Sequence, residues 1–505
     1  MDWMSLKSGS DVRGTAIGDG TVLNEEVACS LGMAFAFFLS DEKQKPVNEI
    51  SVSIGRDSRL SGPSLLEAVS DGICRAGACV LDFGMCTTPA MYMSTVTAGY
   101  ETDGAIMVTA SHHPWNKNGL KFFTNRGGLE GKQIAGLLQA AESLNPSSIR
   151  PSGKVMRKPF LDVYKDQLAS RIRAGLDTHS LCPLKGLHVV VDAGNGAGGF
   201  YADLMASLGA DIRGSQFLDP DGKFPNHIPN PENPDAMKSL RNAVLSSSAD
   251  LGVIFDADCD RAAVVDSDGR EINRNRLIAL ISAILLEEQP GQTIVTDSVT
   301  SSGLTEFISR HGGEHYRYKR GYRNVIDEAI RLNGEGRSCP LAIETSGHAA
   351  MRENHFLDDG MYLVTVLIIR AMKMKHDGQH LGSLISDLRE PVESVEIRMP
   401  ISSENFREIG LTAVETITKH AENDPQWHIA PDNREGIRIS FDLNGQPDSG
   451  WFLLRLSVHD PVLPLNAESD VPGGIRQMLS GLYDLLKTVD GISTETLYQA
   501  IQSER

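Results

Sequence analysis

No two of the seven cysteines (Cys29, Cys74, Cys79, Cys86, Cys182, Cys259, Cys339) stand in a CxxC spacing, and their number is odd. A disulfide scaffold and a zinc ribbon are therefore not expected, and a reducing compartment, the cytoplasm, fits best. The opening MDWMSLKSGSDVRG has no basic stretch leading into an apolar run, so no secretory signal is expected, while an organellar location after removal of a transit peptide stays open. The longest apolar stretches, near residues 277–286 and 361–372, are too short to cross a bilayer. No membrane partner is expected. Positive charge is scarce as well: 48 Lys and Arg against 66 Asp and Glu leave a formal net charge of −18. That balance argues against nucleic acid as a partner. It leaves room for an anionic small substrate, provided the site gathers its own arginine, lysine and metal.

The 505 residues imply about three to four domains, enough length to bury several cores without staples. With 41% hydrophobic and 23% charged residues, the composition is that of a soluble globular chain. One theme recurs: a short β-branched run, a glycine-rich turn, then a helical pattern. It starts at residues 50–54, 187–191, 251–255 and 293–296. Such alternation predicts α/β layers with parallel or mixed sheets. Breaker-rich stretches suggest joins at residues 145–159, 269–274 and 389–391. The expected domains are 1–153, 154–271, 272–389 and 390–505. In the last, EIRMPI, GIRISFDL and GWFLLRLSV read as strands and residues 473–489 as a closing helix, an α+β pattern.

Five stretches carry chemical possibilities. In GAIMVTASHHPWNKNGLKFF, residues 104–123, an apolar strand delivers Ser111 and His112 into a turn, and a second strand leaves through Lys121. Ser111 is then either a nucleophile at a cleft or a turn serine capping the backbone. In LGVIFDADCDR, Asp256, Asp258 and Asp260 alternate after a strand. If the segment is extended, the three carboxylates share one side, with Cys259 facing away and packed. Three such carboxylates repel unless a cation neutralises them, so Mg²⁺ is favoured over an exposed acidic turn, with Arg261 beside it. In LAIETSGH, Glu344 and Ser346 suit the bracketing of sugar hydroxyls and His348 a proton relay, or the stretch is an ordinary strand exit. DAGNGAGG satisfies GxGxxG at Gly194, Gly196 and Gly199, but reads better as a tight strand–helix turn than as a dinucleotide site. Near the end, Arg455 and Ser457 could hold a phosphate. Basic residues also recur in glycine-punctuated loops at Arg13, Arg56, Arg59, Lys319, Arg320 and Arg323, where a lone cation is usually solvated.

Taken in order, TASHHPWNKNGLKFF, DADCDR, ETSGH and RLSVHDP resemble the motifs of the α-D-phosphohexomutases, which include phosphoglucomutases, phosphomannomutases and phosphoglucosamine mutases. The resemblance spans essentially the whole chain. It implies four domains around a central cleft, three mixed α/β and a C-terminal α+β one. It makes Ser111 the phosphorylated serine and Asp256, Asp258 and Asp260 the Mg²⁺ ligands, with the Ser111 phosphoryl group completing the metal site. Arg13, His112 and Lys121 match residues around the phosphoserine, Arg261 follows the metal loop, and Arg323 stands where the third domain carries a basic residue. Glu344 and Ser346 match the sugar-hydroxyl loop, which ends at His348. The fourth-domain loop departs from the family's Arg-x-Ser-x-Thr-Glu-Pro: it keeps Arg455 and Ser457, has His459 as a further donor, and puts Pro464 where a second arginine is expected.

The resemblance implies reversible transfer of a phosphoryl group within a hexose phosphate, 1-phosphate to 6-phosphate, by way of phosphoserine and a hexose 1,6-bisphosphate. Lys121 and His348 are the candidate proton-transfer or oxyanion-stabilising groups. Glucose phosphate is the favoured substrate, with mannose and glucosamine phosphates as alternatives. Two other readings remain: a weakened phosphosugar-binding regulatory protein, because of the altered fourth loop, and a metal-dependent phosphatase.

Overall fold

The run SVSIGR, Ser51–Arg56, lies at the heart of an eight-stranded sheet, as its β-branched and small residues favour. It pairs in parallel with Cys79–Met85 and Gly104–Val108, the signature of strand–helix–strand crossovers. The computed structural model describes residues 2–402, 405–457 and 460–503. Its contacts fall into two units, Met1–Ile281 with Ser346–Leu384, and Ser282–Thr345 with Ile385–Arg505.

In the first unit, Gly104–Val108 turns back antiparallel into Lys117–Thr124, which in turn pairs with Asp11–Thr15. The helix Glu25–Lys43 covers this sheet. It begins at Asn24, whose side chain accepts the Val27 N–H at 3.0 Å, and carries Glu25 and Glu26 at its positive end. A second sheet is built by Val189–Asp192 and Leu251–Phe255 in parallel, followed by Ala262–Asp266 in antiparallel. The GxGxxG segment is the turn between Val189–Asp192 and the helix Phe200–Ser207. A Cβ on Gly196 would lie 2.6 Å from Ala257 Cα, and one on Gly199 only 2.1 Å from the Leu218 carbonyl. Close backbone approach accounts for these glycines.

In the second unit, Thr293–Asp297 pairs in parallel with Glu314–Tyr318 and Leu341–Ile343. The C-terminal sheet is antiparallel in the order Glu393–Pro400, Val462–Ser469, Gln446–Leu454, Ile437–Leu443, His428–Ile429. Its apolar face, with Met399, Ile439, Phe452 and Leu465, packs with Leu479 and Leu482 of the helix Gly474–Leu486. The three strands and the helix expected here are present. The strand Val462–Ser469 and the final helix Glu495–Ser503 were not expected. Pro464 hides that strand, because a proline inside a paired strand removes a ladder donor. It is tolerated because the pairing with Gln446–Leu454 ends at Leu454↔Leu465, one residue away, and only the Pro464 carbonyl is used, accepting the Arg455 N–H at 3.1 Å.

His315 lies half-buried on Glu314–Tyr318, its ring nitrogens 2.8 Å from Thr296 Oγ1 and 2.8 Å from Thr305 Oγ1. Burial, reinforced by the charges of Arg317 and Arg438, holds its pKa well below the ordinary value. The unfolded chain therefore binds a proton here that the folded chain refuses, and stability is lost as pH falls below about 6.5, by up to about 1.4 kcal/mol per pH unit. The urea midpoint of this unit should drop between pH 7 and pH 5, and His315→Gln should flatten the drop. An unchanged slope in the variant would refute the assignment.

Candidate active site

Two hairpin loops of the first unit meet. The first, residues 109–116, joins Gly104–Val108 to Lys117–Thr124 and carries Ser111 in a left-handed conformation, φ 52°. That strained backbone is imposed from below. Thr109 Oγ1 donates to Asp57 Oδ2 at 2.7 Å and accepts the Ser111 N–H at 2.9 Å. Arg59, fully buried, donates to the carbonyls of Ser111, His113, Pro114 and Lys117 at 2.5–2.9 Å and to Asp57 Oδ2 at 3.2 Å. Burial pushes the Asp57 carboxyl upward and the Arg59 guanidinium downward, while their mutual attraction opposes both shifts. Ser111 stands in the turn just beyond the strand end, as expected, and is buried (1% exposed).

The second loop, residues 256–261, joins Leu251–Phe255 to the antiparallel Ala262–Asp266. It is not extended, which corrects the reading from alternation. Cys259 adopts φ 68°, and its N–H donates to the Asp256 carbonyl at 3.2 Å, so a turn gathers the aspartates. Cys259 itself is buried, its Sγ 3.7 Å from the same carbonyl. One oxygen each of Asp256, Asp258 and Asp260 lies within 4.8 Å of the others, and all three residues are buried.

Contacts between the loops join residues far apart in sequence. Ser111 Oγ donates to Asp256 Oδ2 at 2.7 Å. Lys121 Nζ donates to Asp258 Oδ2 at 2.8 Å and also to Asp260 Oδ2. Thr88, which no sequence motif singled out, donates from Oγ1 to Asp258 Oδ2 at 2.5 Å and from its N–H to the Asp258 carbonyl at 2.9 Å. Burial, then repulsion from Asp258 and Asp260, raises the Asp256 carboxyl well above the ordinary range. For Asp260 burial acts in the same sense, but the charges of Lys121 and Arg261, with the hydrogen bond from Lys121, outweigh it and hold its pKa low. Asp258 Oδ1 and Asp260 Oδ1 are buried with no hydrogen-bond partner. Orphaned hard oxygens within a buried carboxylate trio fit a small divalent cation.

Around this core, Arg13 is half-buried on Asp11–Thr15 and pairs with Asp11 at 2.8 Å. Burial alone would lower its pKa, but the charges of Asp11, Asp258 and Asp260 raise it. His112 Nδ1 lies 3.2 Å from Ser111 Oγ. Burial and then the neighbouring Arg261 push its pKa down to about 2, so the ring is neutral. Arg261 Nε–H donates to His348 Nε2 at 2.8 Å, and the two residues form a backbone bridge. Gly360 packs on this bridge; a Cβ there would lie 2.6 Å from the Arg261 carbonyl carbon. Ser346 is buried in the same unit.

The remaining predicted residues belong to the second unit. Glu344 accepts the Gly321 N–H at 2.5 Å. Arg323 pairs along its own helix with Asp327 at 2.9 Å. Its neighbour Arg320 lies 4.0 Å from Asp297 and donates its N–H to Glu435 at 3.1 Å. Burial, followed by the charge of Arg320, lowers the Arg455 pKa, and Arg455 Nε is buried without a partner. Ser457 Oγ accepts the Asp460 N–H at 3.2 Å. His459 lies outside the described residues.

Comparison with known proteins identifies the family to which this fold belongs. The family descriptions "Phosphoglucomutase/phosphomannomutase, alpha/beta/alpha domain" I, II and III match residues 5–143, 162–269 and 273–392. A phosphoglucomutase of Neisseria gonorrhoeae is 30% identical over 471 residues, 93% of this chain and 94% of that one. A phosphomannomutase of Escherichia coli is 31% identical over 474 residues, 92% of this chain and 94% of that one. The crystal structure of a phosphoglucomutase/phosphomannomutase family protein from Burkholderia thailandensis superposes with a TM-score of 0.79 at 28% identity, covering 96% of this chain and 98% of the other. Three α/β/α domains, a C-terminal α+β domain and a serine seated on a buried aspartate trio thus place the chain in the phosphoglucomutase/phosphomannomutase family, as a phosphohexomutase.

Proposed function

We propose that the protein interconverts hexose 1-phosphate and hexose 6-phosphate through phosphorylated Ser111 and a bisphosphorylated sugar, with glucose phosphate preferred and mannose phosphate next. The carrying observation is the 2.7 Å contact of Ser111 Oγ with a carboxylate trio that keeps two buried oxygens without a hydrogen bond. Asp256, Asp258 and Asp260 would hold Mg²⁺ together with the Ser111 group; bound there, the ion offsets charge on the phosphoryl oxygens. In each transfer one phosphorus–oxygen bond breaks and one forms. The P–Oγ bond of Ser111 opens as a sugar hydroxyl takes the phosphoryl group, and the hydroxyl proton leaves to a side chain. Lys121 and His348 are assigned to proton transfer or oxyanion stabilisation, Arg261 and Arg13 to the phosphoryl charge. Glu344 and Ser346 would read sugar hydroxyls. Arg455, with Ser457, His459 and Arg323, would hold the distal phosphate. The reading includes the four domains 1–153, 154–271, 272–389 and 390–505, supported by the matches above. It also includes a cytoplasmic setting, supported by scattered cysteines.

The test is a panel of glucose, mannose and glucosamine phosphates, with mass analysis of Ser111 for phosphate. Turnover should be highest on glucose phosphate. A chelator should lower it by about a hundredfold or more, and added Mg²⁺ should restore it. Free phosphate without isomerised sugar would replace this reading with a phosphatase. Binding without turnover across the whole panel would replace it with a regulatory binding protein, the reading that Pro464 in place of an arginine supports.

A further inference from the structure

Two hydrogen-bonding neighbours of His348 dictate where its single proton sits, while Asp260 Oδ1 stands farther off, 3.9 Å from Nδ1. On one side Arg261 Nε approaches Nε2 at 2.8 Å. A guanidinium nitrogen can only donate, so Nε2 must present its lone pair. On the other side Asp358 Oδ2 lies 2.5 Å from Nδ1. A carboxylate only accepts, so the proton belongs on Nδ1. Asp358 is itself held: it ends the short strand Leu357–Asp358, paired antiparallel with Ala349–Met351, and its Oδ1 accepts the Ala349 N–H at 3.1 Å. It is buried, so this arrangement is not exchanged with solvent contacts.

We propose that Asp358 is a positioning residue for phosphoryl transfer: it fixes the Nδ1–H tautomer of His348, so that Nε2 can accept from Arg261 and aim the guanidinium at the Ser111–Asp256 contact. The chain of contacts supports the direction of the effect. The Arg261 N–H donates to Asp256 Oδ1 at 3.3 Å, Arg261 Nε lies 4.0 Å from Asp256 Oδ2, and that same Oδ2 accepts from Ser111 Oγ at 2.7 Å. A cation held there is poised for charge that develops during transfer, and it loses value quickly when misplaced. The inference rests on the mutase reading for its kinetic consequence only, because the tautomer is a property of the resting protein.

Asp358→Asn is the informative variant because the Ala349 N–H fixes its orientation. That N–H keeps the amide oxygen on the Oδ1 side, which turns the amide NH₂ toward His348 Nδ1. Nδ1 must then accept, the proton moves to Nε2, and Nε2–H faces the Nε–H of Arg261, donor against donor. Loss of such an outer partner commonly costs 10- to 100-fold in activity. Nitrogen NMR of ¹⁵N-histidine-labelled protein, with His348 assigned from His348→Gln, reads the tautomer directly. The wild type should show a protonated Nδ1 and an unprotonated Nε2, and Asp358→Asn should invert them. Turnover should fall by about 10- to 100-fold in kcat with KM changed less than threefold, and Asp358→Glu should recover part of it while keeping Nδ1–H. A wild-type His348 protonated on Nε2 overturns the proposal without any variant. So does an Asp358→Asn protein with inverted tautomer and unchanged kcat. Should the wild type turn over no hexose phosphate at all, the mutase reading fails, while the NMR result still decides the tautomer.

Discussion

Ser111→Ala abolishes mutase turnover and phosphate incorporation while leaving the fold intact: this is the largest effect expected on activity. Removing the nucleophile of an enzyme with a covalent intermediate has cost about a millionfold in kcat where the group acts as part of a unit. A loss of at least about ten-thousandfold is expected here. The structural cost is small by comparison. Ser111 Oγ makes its contacts to Asp256 at 2.7 Å and His112 at 3.2 Å, and losing them should destabilise by about 1 kcal/mol. Alanine takes up the φ 52° backbone with about the same strain as serine. A coupled sugar-phosphate assay, intact mass and a thermal melt on one preparation separate the two effects. Turnover within tenfold of the wild type would remove Ser111 from the chemistry.

The largest effect on stability is expected at Arg59. Methionine at this position would fill much of the volume but leave the Asp57 carboxylate buried without its cation and four loop carbonyls, those of Ser111, His113, Pro114 and Lys117, without their donor. Breaking one side of a fully buried pair costs about 3–5 kcal/mol, against about 0–1 kcal/mol for an exposed pair. Arg59 and Asp57 are both wholly inaccessible, so the buried figure applies. Urea unfolding of Arg59→Met should therefore begin well before that of the wild type. Asp57→Asn combined with Arg59→Met should recover part of the loss, because the uncompensated charge is then gone. A single variant within 1 kcal/mol of the wild type would show that the loop holds its shape without this ion pair.

Much of the fold was legible locally. Short β-branched runs followed by glycine-rich turns became strands at Ser51–Arg56, Leu251–Phe255 and Thr293–Asp297, because pleated, two-sided burial suits those side chains wherever they occur. The strand Val462–Ser469 was not legible, because Pro464 is excluded from a ladder by rule and tolerated only where neighbouring pairing ends. The aspartate trio was found from its spacing, but for a wrong geometric reason: a turn through Cys259, not strand alternation, brings the carboxylates together. Arg59 sits in a loop like those of solvated arginines and carries no local mark of its complete burial. Thr88 and Asp358 are single polar residues with no surrounding pattern. Thr88 acts on Asp258, 170 positions away, and Asp358 acts through His348 on Arg261.

By itself, the sequence determined where the β-branched runs become strands, which side chains are able to ligate a cation or carry a phosphoryl group, and that the chain resembles a phosphohexomutase. Those are properties of composition and short-range spacing, set by local sterics and by the intrinsic chemistry of each residue. Only the tertiary structure decided that Ser111 rests on Asp256, that Lys121 bridges Asp258 and Asp260, and that Arg59 underpins the serine loop. Hydrogen bonds and ion pairs act over about 3 Å, and residues distant in the sequence reach that separation only when packed sheets carry their loops together.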